Sequence, residues 1–457
     1  MDFMKFLFIN KPFFIEPLGI MYISSVVKKK GHDVDLVITS DGLEKKVSEF
    51  RPDFIGYSIM TGDQNFYDSI NRDLKKQFNF FSIAGGPHPT FFPEMLEDSS
   101  FDAICRGEGE EAIKDLLENP DFKKIPNFWF KNGNKIIKNP VRPLISNLDE
   151  IPFPDREIVF RYSHIKEDPI KHFIATRGCP FNCSYCFNES WAELYKGKGK
   201  RVRFRSVDNL LGEIKEVVSS SPTKFIYFQD DTFTLNKNWL KEFTKEYSKK
   251  INLPFHCHIR PNTIDEEKVQ TLEKAGCYSV HIASETADDR LRNEVLKRNM
   301  TKEEILNASE LLKRYGIKFM LQNMIGLPEG CLEKDLETLE LNIECKPDYA
   351  WVSIFQPYPG TQLGEYCKKQ GVYTEDFSDL GSDFFDSSKL NFSKKYKNQL
   401  SNLQKLFAVA VEYSDLYYSG LLRTLIDLPY KSTKDIFTEF YKNFRREGDK
   451  KLYGFYL

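Results

Sequence analysis

"ATRGCPFNCSYCFN", from Ala175 to Asn188, is the most informative stretch of this chain. It holds three cysteines in a C-x3-C-x2-C spacing, Cys179, Cys183 and Cys186, with no fourth cysteine close by. Three thiolates can bind three irons of a cubane cluster and leave the fourth iron open to an external ligand. Structural zinc sites usually come as paired C-x2-C knuckles, and the sequence has no second pair. The spacing therefore favours a 4Fe-4S cluster.

Two other interpretations of the three cysteines stay open at this point. A zinc ion could take His172 or a distant histidine as its fourth ligand. The thiols could also be buried structural side chains, although a loop that contains Gly178, Pro180 and Asn182 is an unusual place for such packing. The remaining six of the nine cysteines are scattered singly, and we expect them to be small buried side chains: Cys105, Cys257, Cys277, Cys331, Cys345 and Cys367.

Composition limits the classes of protein to consider. The length of 457 residues predicts two or three domains, and 41% hydrophobic with 29% charged residues is typical of globular domains. The 65 basic and 67 acidic residues nearly cancel, which gives no electrostatic indication of a nucleic-acid partner. No stretch has the pattern of a signal peptide or the length of a membrane span. We therefore expect a cytoplasmic protein without a transmembrane segment.

Strand and helix signals alternate through the first part of the chain. A helix is predicted over "LGIMYISSVVKKKGH", with Gly31 as its stop. Five short apolar runs predict strands: "KFLFIN", "DVDLVI", "FIGYSI", "FFSIAGG" and "DAICRG". Such units predict an α/β fold with an open, doubly wound parallel sheet. A Pro- and Asn-rich segment then predicts a hairpin and a linker.

A second alternating block begins at His172, and its six strand candidates predict a partial (β/α)6 barrel. These candidates are "HFIATR", "KFIYFQ", "PFHCHIR", "YSVHIAS", "KFMLQNMIG" and "AWVSIFQ". From Ser393 onward the pattern predicts a small helical region. The predicted domains are 1–125 for the first sheet, 126–168 for the hairpin and linker, 169–392 for the partial barrel and 393–457 for the helical region.

Polar residues follow several barrel strands, at the end where such barrels expose functional groups. The predicted catalytic residues are Asp230, Asp231, Arg260 and Glu285. Two of them have a simpler alternative: Asp231 could cap the helix that follows it. Glu285 could be the buried ion-pair partner of Arg260 or Arg290.

The stretch "CPFNCSYC" after a strand resembles the signature of radical S-adenosylmethionine (SAM) enzymes. The resemblance implies that SAM binds the open iron through its amino and carboxylate groups. An electron from the cluster, supplied by an external donor such as flavodoxin or ferredoxin, then cleaves SAM to a 5′-deoxyadenosyl radical. By the same resemblance, the SAM contacts are Tyr185, Ser284, Glu285, Ile325 and Gly326. "GLPEG" departs from the family's usual Gly-x-Pro-Gly-Glu-Thr order, so the details of that loop are not carried over.

The first domain resembles the cobalamin-binding domain found in one branch of radical SAM enzymes. The matching points are "PLG", "GGPHPT" and "RGEGE", and Gly-rich turns that open onto helices suit a cofactor with a nucleotide tail. The implied cobalamin contacts are Pro17, Leu18, Gly19, Met60, Thr61, Gly85, Gly86 and Pro87. The Asp-x-His-x-x-Gly motif that supplies a lower cobalt ligand is missing, which implies a cobalt whose lower face is open or lightly covered. His88 stands between two prolines, which is typical of a turn residue.

Together the two resemblances imply a cobalamin-dependent radical SAM methyltransferase that acts on an unactivated carbon. One alternative is a radical SAM enzyme that does not methylate but cyclises, forms a carbon–carbon bond or rearranges its substrate, with cobalamin absent or used otherwise. An alternative of another class is a non-catalytic sensor of cluster and cobalamin. The first domain contains only Cys105, which separates the chain from methylthiotransferases and predicts a single cluster. We expect a small-molecule or lipid-like substrate.

Overall fold

The computed structural model describes residues 3–118, 121, 124–374 and 384–454. The chain divides into two compact units, which we call unit 1 (Met1–His172 with Trp191–Thr223) and unit 2 (Phe173–Ser190 with Lys224–Leu457). The predicted boundaries after residues 125, 168 and 392 fall inside these units and stay predictions. None of the helices in the described ranges combines the length and the apolar character that a bilayer crossing requires.

Unit 1 is built on a seven-stranded sheet in the order β2-β1-β3-β4-β5-β6-β7. Its strands are β1 (Lys5–Asn10), β2 (Asp33–Ile38), β3 (Phe54–Ser58), β4 (Phe81–Gly85), β5 (Ala103–Cys105), β6 (Phe128–Asn132) and β7 (Lys135–Lys138). The first five pair in parallel, and the β6–β7 hairpin extends the edge in antiparallel pairing. The predicted doubly wound sheet is confirmed. Its strand order reverses between β1 and β3, and ligands of such sheets bind at that switch point.

Helices cover both faces of this sheet, because successive side chains of a strand point to opposite sides. On β1, Leu7 and Ile9 belong to one buried core cluster and Phe6 to another. The unit 1 helices are α1 (Leu18–Lys29), α2 (Leu43–Phe50), α3 (Gln64–Lys75), α4 (Pro87–Phe91), α5 (Met95–Asp98), α6 (Glu110–Glu118), α7 (Glu157–Phe160), α8 (Ser163–Lys166) and α10 (Val207–Ser220), with short strand β10 (Arg203–Phe204) before α10. The predicted helix after β1 is therefore present and ends just before Gly31.

The second sheet has six strands in the order β15-β14-β13-β12-β11-β8, all in unit 2 except the edge strand β8, which crosses the unit boundary after His172. The strands are β8 (Ile170–Phe173), β11 (Phe225–Phe228), β12 (Phe255–His258), β13 (Cys277–Glu285), β14 (Lys318–Ile325) and β15 (Tyr349–Ile354), with β9 (Thr176–Arg177) after β8. The neighbours from β11 to β15 pair in parallel. The connecting helices are α9 (Phe187–Leu194), α11 (Lys237–Lys250), α12 (Glu266–Ala275), α13 (Lys302–Arg314), α14 (Leu332–Cys345) and α15 (Gln362–Lys369). This sequential open sheet confirms the predicted partial barrel.

The C-terminal part is helical, as predicted. It consists of α16 (Lys394–Glu412), α17 (Asp415–Tyr418), α18 (Leu421–Asp427) and α19 (Tyr430–Tyr453). Helix α16 begins after Ser393, whose hydroxyl accepts a hydrogen bond from the N–H of Tyr396 at 3.2 Å. That contact satisfies one of the donors that a helix start leaves without an intrahelical partner.

The C-terminal half of helix α19 lies on the opposite face of the unit 2 sheet from α14 and α16, whereas Phe437, nearer its start, joins their core cluster. The β15 residues Ala350, Val352 and Ile354 share a core cluster with residues of α14 and α16. Their neighbour Tyr349 instead contacts α19 at Gly448, where an added Cβ would come within 2.2 Å of the ring. Since strand side chains alternate between faces, α19 covers the other side, which we call the inner face.

Candidate active site

The three cysteines of the C-x3-C-x2-C stretch line a single pocket of about 180 Å³ in unit 2. They occupy the loop between Arg177, where β9 ends, and Phe187, where α9 begins. The N–H of Cys186 donates to the carbonyl of Cys183 at 3.1 Å and closes a turn. Burial is the largest influence on the Cys186 thiol and raises its pKa to about 11. This thiol therefore keeps its proton at neutral pH until a metal ion displaces it.

The spacing of the sulfur atoms bears on which metal centre this loop fits. A single zinc ion with Zn–S bonds of about 2.3 Å would hold its thiolates roughly 3.8 Å apart. Among the described residues, only three histidines bring three ligand atoms within 4.8 Å of one another, and the cysteine sulfurs form no such group. His172, the zinc ligand considered from the sequence, belongs to unit 1 and holds its Nδ1 2.8 Å from Glu16 Oε2. Three cysteine thiols that line one pocket are a donor set that suits a cubane cluster, in which each binds a different iron.

Tyr185, Glu285 and Arg298 form a buried hydrogen-bonded group on the wall of this pocket. The Tyr185 hydroxyl donates to Glu285 Oε1 at 2.7 Å, and the Arg298 guanidinium donates to the Tyr185 oxygen at 2.8 Å and to Glu285 Oε1 at 3.3 Å. Glu285 has a φ of 65° at a bulge of β13. Left-handed backbone is costly for such a residue and clusters at functional sites. The guanidinium that pairs with Glu285 is that of Arg298. The sequence had suggested Arg260 or Arg290 as the partner.

Arg260 and Asp231, two of the predicted catalytic residues, also line the pocket. The Arg260 guanidinium lies 3.4 Å from Cys183 Sγ and stacks over Phe181, at 4.0 Å from the ring centroid. Asp231 accepts a hydrogen bond from the Asn188 amide at 3.0 Å. A guanidinium this close to the sulfur suits a loop that must hold the negative charge of a bound metal centre.

Asp230 is buried beneath the cysteine loop and is not among the residues that line the pocket. Its carboxylate accepts hydrogen bonds from the Thr176 hydroxyl at 2.5 Å and the Ala175 N–H at 3.1 Å. Burial, the largest influence, raises the pKa of Asp230 to about 7. These contacts position the strand that leads into the cysteine loop, and the predicted catalytic role of Asp230 stays a prediction.

The other predicted SAM contacts lie next to the pocket wall. The Ser284 hydroxyl is buried and hydrogen-bonds Asn323 Oδ1 at 2.5 Å, whereas its neighbours Ala283 and Glu285 line the pocket. Ile325 is fully buried, and the Gly326 N–H donates to Asp335 at 3.0 Å. The φ of Gly326 is 67°, and a Cβ there would come within 2.8 Å of Leu400. Contacts of Ser284, Ile325 and Gly326 with SAM stay predictions.

Two histidines on the pocket floor were missed from the sequence. His258 at the end of β12 and His281 on β13 line the same pocket as the cysteines. Burial lowers the pKa of His258 to about 4, and burial with the charges of nearby groups lowers that of His281 well below its usual value. Both imidazoles are therefore neutral at pH 7. The alternating "HCH" of β12 places His256 and His258 on one face, and this signal could have indicated His258.

In unit 1, the predicted cobalamin contacts gather at the carboxyl ends of β1, β3 and β4. Pro17, Leu18 and Gly19 open α1 after β1, Met60 and Thr61 follow β3, Gly85 ends β4, and Gly86 and Pro87 begin α4. The carboxyl ends of parallel strands share one edge of a sheet, and β1 and β3 flank the switch point. This placement suits a bound nucleotide-tailed cofactor, although the individual contacts stay predictions.

Gly86 shows how tightly the turns at this edge fit together. Its φ is 95°, and an added Cβ would lie 2.9 Å from the Ile59 nitrogen. The Thr61 hydroxyl and His88 Nδ1 are 3.2 Å apart, so the turns after β3 and β4 are hydrogen-bonded to each other. Burial lowers the pKa of His88 to about 4. His88, expected in a turn, lies in the short helix α4.

A buried ion network supports the loop that precedes Pro17. Arg156 bridges two carboxylates, Glu16 and Glu213, each at 2.7 Å. Glu16 also accepts hydrogen bonds from the N–H and the ring of His172, both at 2.8 Å. All of these side chains belong to unit 1. Burial alone would raise the pKa of Glu16, but Arg156 and His172 outweigh it and lower the pKa from 4.5 to about 2.

This lowered pKa predicts acid sensitivity of unit 1. A carboxylate whose pKa is depressed on folding stabilises the protein above its unfolded pKa, and that contribution is lost as the pH falls through the folded pKa. We expect urea unfolding to show a loss of about 3 kcal/mol from Glu16 between pH 4.5 and 2, at about 1.4 kcal/mol per pH unit. Glu16→Gln should remove this pH dependence, and the exposed Glu157→Gln should keep it. An unchanged pH profile in Glu16→Gln would contradict the assignment.

Comparison with known proteins identifies the two domains that contain these residues. The Radical SAM superfamily profile matches residues 173–341, and the B12 binding domain profile matches residues 4–117. An uncharacterized methyltransferase of Pyrococcus horikoshii is 31% identical over 369 residues, which cover 77% of this chain and 78% of that protein. The chain belongs to the radical SAM enzymes that carry a B12-binding domain. The predicted family is confirmed, and so are the predicted 4Fe-4S cluster, SAM and cobalamin as the cofactors of its domains.

Two further proteins resemble this radical SAM enzyme. The anaerobic magnesium-protoporphyrin IX monomethyl ester cyclase of Cereibacter sphaeroides is 26% identical over 404 residues, 82% of this chain and 62% of that protein. Among solved structures, the radical SAM methyltransferase TsrM of Kitasatospora setae, with cobalamin and a [4Fe-4S] cluster bound, superposes with a TM-score of 0.66. It is 16% identical, and the match covers 82% of this chain and 76% of that one. The likeness to TsrM shows that the two share a fold.

Proposed function

We propose that this enzyme is a cobalamin-dependent methyltransferase that acts on an unactivated carbon of a small-molecule or lipid-like substrate. The observation that carries the proposal is the presence, in one chain, of a three-cysteine pocket and a B12-binding sheet. The methyltransferase name of the Pyrococcus horikoshii relative supports it. When bound, the cluster and SAM supply a carbon radical that removes hydrogen, and the corrinoid supplies the methyl group.

The residues of unit 2 would prepare the pocket for this chemistry. Arg260 would hold positive charge beside Cys183, where the bound centre carries negative charge. The Tyr185–Glu285–Arg298 group would fix the wall, because each member is tied to the other two. A wall of buried, mutually bonded groups does not reorganise when charge moves in front of it.

The proposed reaction also requires an external electron donor, and we propose that it takes place in the cytoplasm. An electron donor such as flavodoxin or ferredoxin would reduce the cluster, since nothing in the enzyme's own chemistry supplies that electron. A cytoplasmic location fits the scattered single cysteines, since disulfides are rare in that compartment.

The decisive experiment follows the fate of SAM. The chain is purified anaerobically, reconstituted with iron, sulfide and hydroxocobalamin, desalted, and given SAM and a reductant. Retained corrinoid together with 5′-deoxyadenosine and S-adenosylhomocysteine is the expected result. Loss of the corrinoid on desalting, with 5′-deoxyadenosine as the only nucleoside product, would overturn the methyltransferase assignment.

A glycine variant tests the B12 site separately from the cluster. Gly86→Ala should weaken corrinoid retention about tenfold, or about 1.4 kcal/mol, because the new Cβ would meet the backbone of Ile59. The cluster absorption should not change. Gly133→Ala is the matched control, since Gly133 also has a positive φ, 61°, but nothing lies within 4 Å of its added Cβ. Equal retention by both variants would remove the corrinoid from this edge of the sheet.

A radical SAM enzyme that does not methylate is the second candidate. The similarity to the magnesium-protoporphyrin IX monomethyl ester cyclase favours it, because that protein is named for a ring closure. The two candidates differ in one product, since only methyl transfer from SAM generates S-adenosylhomocysteine. A non-catalytic sensor, the third possibility from the sequence, would form neither nucleoside.

A further inference from the structure

Three of the seven histidines of the chain meet on the inner face of the unit 2 sheet. His256 and His258 are two residues apart on β12 and therefore share one face. His281 on β13 stands in register with His258. One ring nitrogen from each of the three lies within 4.8 Å of the other two.

Hydroxyl groups hold the rings of His256 and His281 in fixed orientations. Ser279 Oγ is 2.7 Å from His256 Nδ1, and Tyr453 of α19 is 3.1 Å from His281 Nε2. Metal-binding imidazoles typically have such a partner on the nitrogen that does not face the metal. These contacts leave His281 Nδ1 and His256 Nε2 as the candidate ligand atoms of those two rings, and His258 offers its Nε2, which faces the Tyr227 oxygen.

The Tyr227 oxygen stands where a fourth ligand would be expected. It is 3.0 Å from His258 Nε2 and 3.5 Å from His281 Nδ1. Zinc–nitrogen bonds of about 2.0–2.1 Å in a tetrahedron place neighbouring ligand atoms about 3.3–3.5 Å apart. The two observed distances bracket this value.

We propose that His256, His258 and His281 form a second metal site, distinct from the cluster, which binds a divalent ion of the zinc class with the Tyr227 oxygen as its fourth donor. Imidazole ligands suit zinc and similar transition metals, whereas magnesium and calcium require oxygen ligands. On coordination the phenol proton of Tyr227 is released to solvent. The divalent ion, the phenolate and three neutral imidazoles then carry a net charge of +1. No electron is transferred.

The position of this site suggests its use. His258 and His281 line the pocket that holds the three cysteines, so the ion lies at the pocket floor. Zinc sites can expand from four to five ligands, and an oxygen atom of the substrate on the pocket side is the fifth ligand that we expect. The metal site itself does not depend on methyl transfer, so its test can fail while the proposed function stands.

Metal content of the full-length enzyme is the direct test. The reconstituted holoenzyme is incubated with Zn²⁺, desalted, and analysed for iron and zinc by mass spectrometry. We expect one zinc per chain in addition to the cluster iron. His281→Gln should lower zinc affinity by more than the roughly 10–100-fold that loss of an outer-shell contact costs. His164→Gln in unit 1 is the control and should retain zinc.

A spectroscopic measurement separates this site from the cluster cysteines. The triple variant Cys179→Ala, Cys183→Ala, Cys186→Ala is titrated with Co²⁺, whose visible bands report tetrahedral coordination. One equivalent should bind, and adding His281→Gln should abolish the bands. If the His281 variant does not fold, His258→Asn takes its place, because His258 is less buried than the other two histidines. Absence of bound metal in both experiments, or zinc retained undiminished by the histidine variants, would overturn the proposal. The histidines and Tyr227 would then form only a hydrogen-bonded wall.

Discussion

Cys183→Ala should abolish both the visible absorption of the cluster and the cleavage of SAM. Cys183 is one of three thiols that the pocket offers, and its sulfur is buried beside the Arg260 guanidinium. A cubane cluster held by two thiolates has lost a third of its protein ligands. The alanine also leaves the Arg260 charge facing an apolar side chain. We therefore expect iron content and 5′-deoxyadenosine formation to fall to background in anaerobic assays.

Cys331→Ala is the matched control for this variant. Cys331 is exposed and stands at the start of α14, away from the pocket-lining residues. It should keep the iron, the absorption and the turnover of the unsubstituted chain. Cys183→Ala protein that keeps its brown colour and still forms 5′-deoxyadenosine would remove Cys183 from the ligand set.

The fold and the cluster loop could be predicted from the sequence because each depends on patterns within a short stretch of consecutive residues. The spacing of Cys179, Cys183 and Cys186 can be read within eight residues. The strands of both sheets are short apolar runs with turn residues at their ends, and each maps onto an observed strand. Because parallel strands bring their carboxyl ends to one edge, the polar residues that follow the strands could be predicted to lie there.

Contacts between distant parts of the chain could not be predicted in this way. The partner of Glu285 is Arg298, thirteen residues later, and Tyr185 joins them from 100 residues before Glu285. Arg260 and Arg290 closely follow strands β12 and β13, whereas Arg298 lies 13 residues beyond Glu285, where β13 ends, so proximity to a strand end favours the wrong arginines. The assembly of the histidines likewise depends on the register of β12 against β13, which a single sequence does not show.

Arg298→Met should destabilise unit 2 by about 3–5 kcal/mol, the usual cost of removing one partner of a buried ion pair. Arg298 and Glu285 are both buried, and the guanidinium also donates to the Ala283 carbonyl at 2.5 Å. Methionine fills most of the space but leaves the Glu285 carboxylate without a cation. Native-state hydrogen exchange of β13 amides measures this loss in unit 2 by itself.

The double variant Arg298→Met/Glu285→Gln shows whether the unpaired charge causes the loss. With the carboxylate neutralised, most of the stability should return, because a buried pair replaced by neutral groups of similar volume is often tolerated. Arg290→Met is the control: its pair with Glu329, at 2.8 Å, is largely exposed, and exposed pairs contribute little to stability. If the single and double variants at Arg298 were equally unstable, the loss would come from packing, and the Glu285 charge would have no part in it.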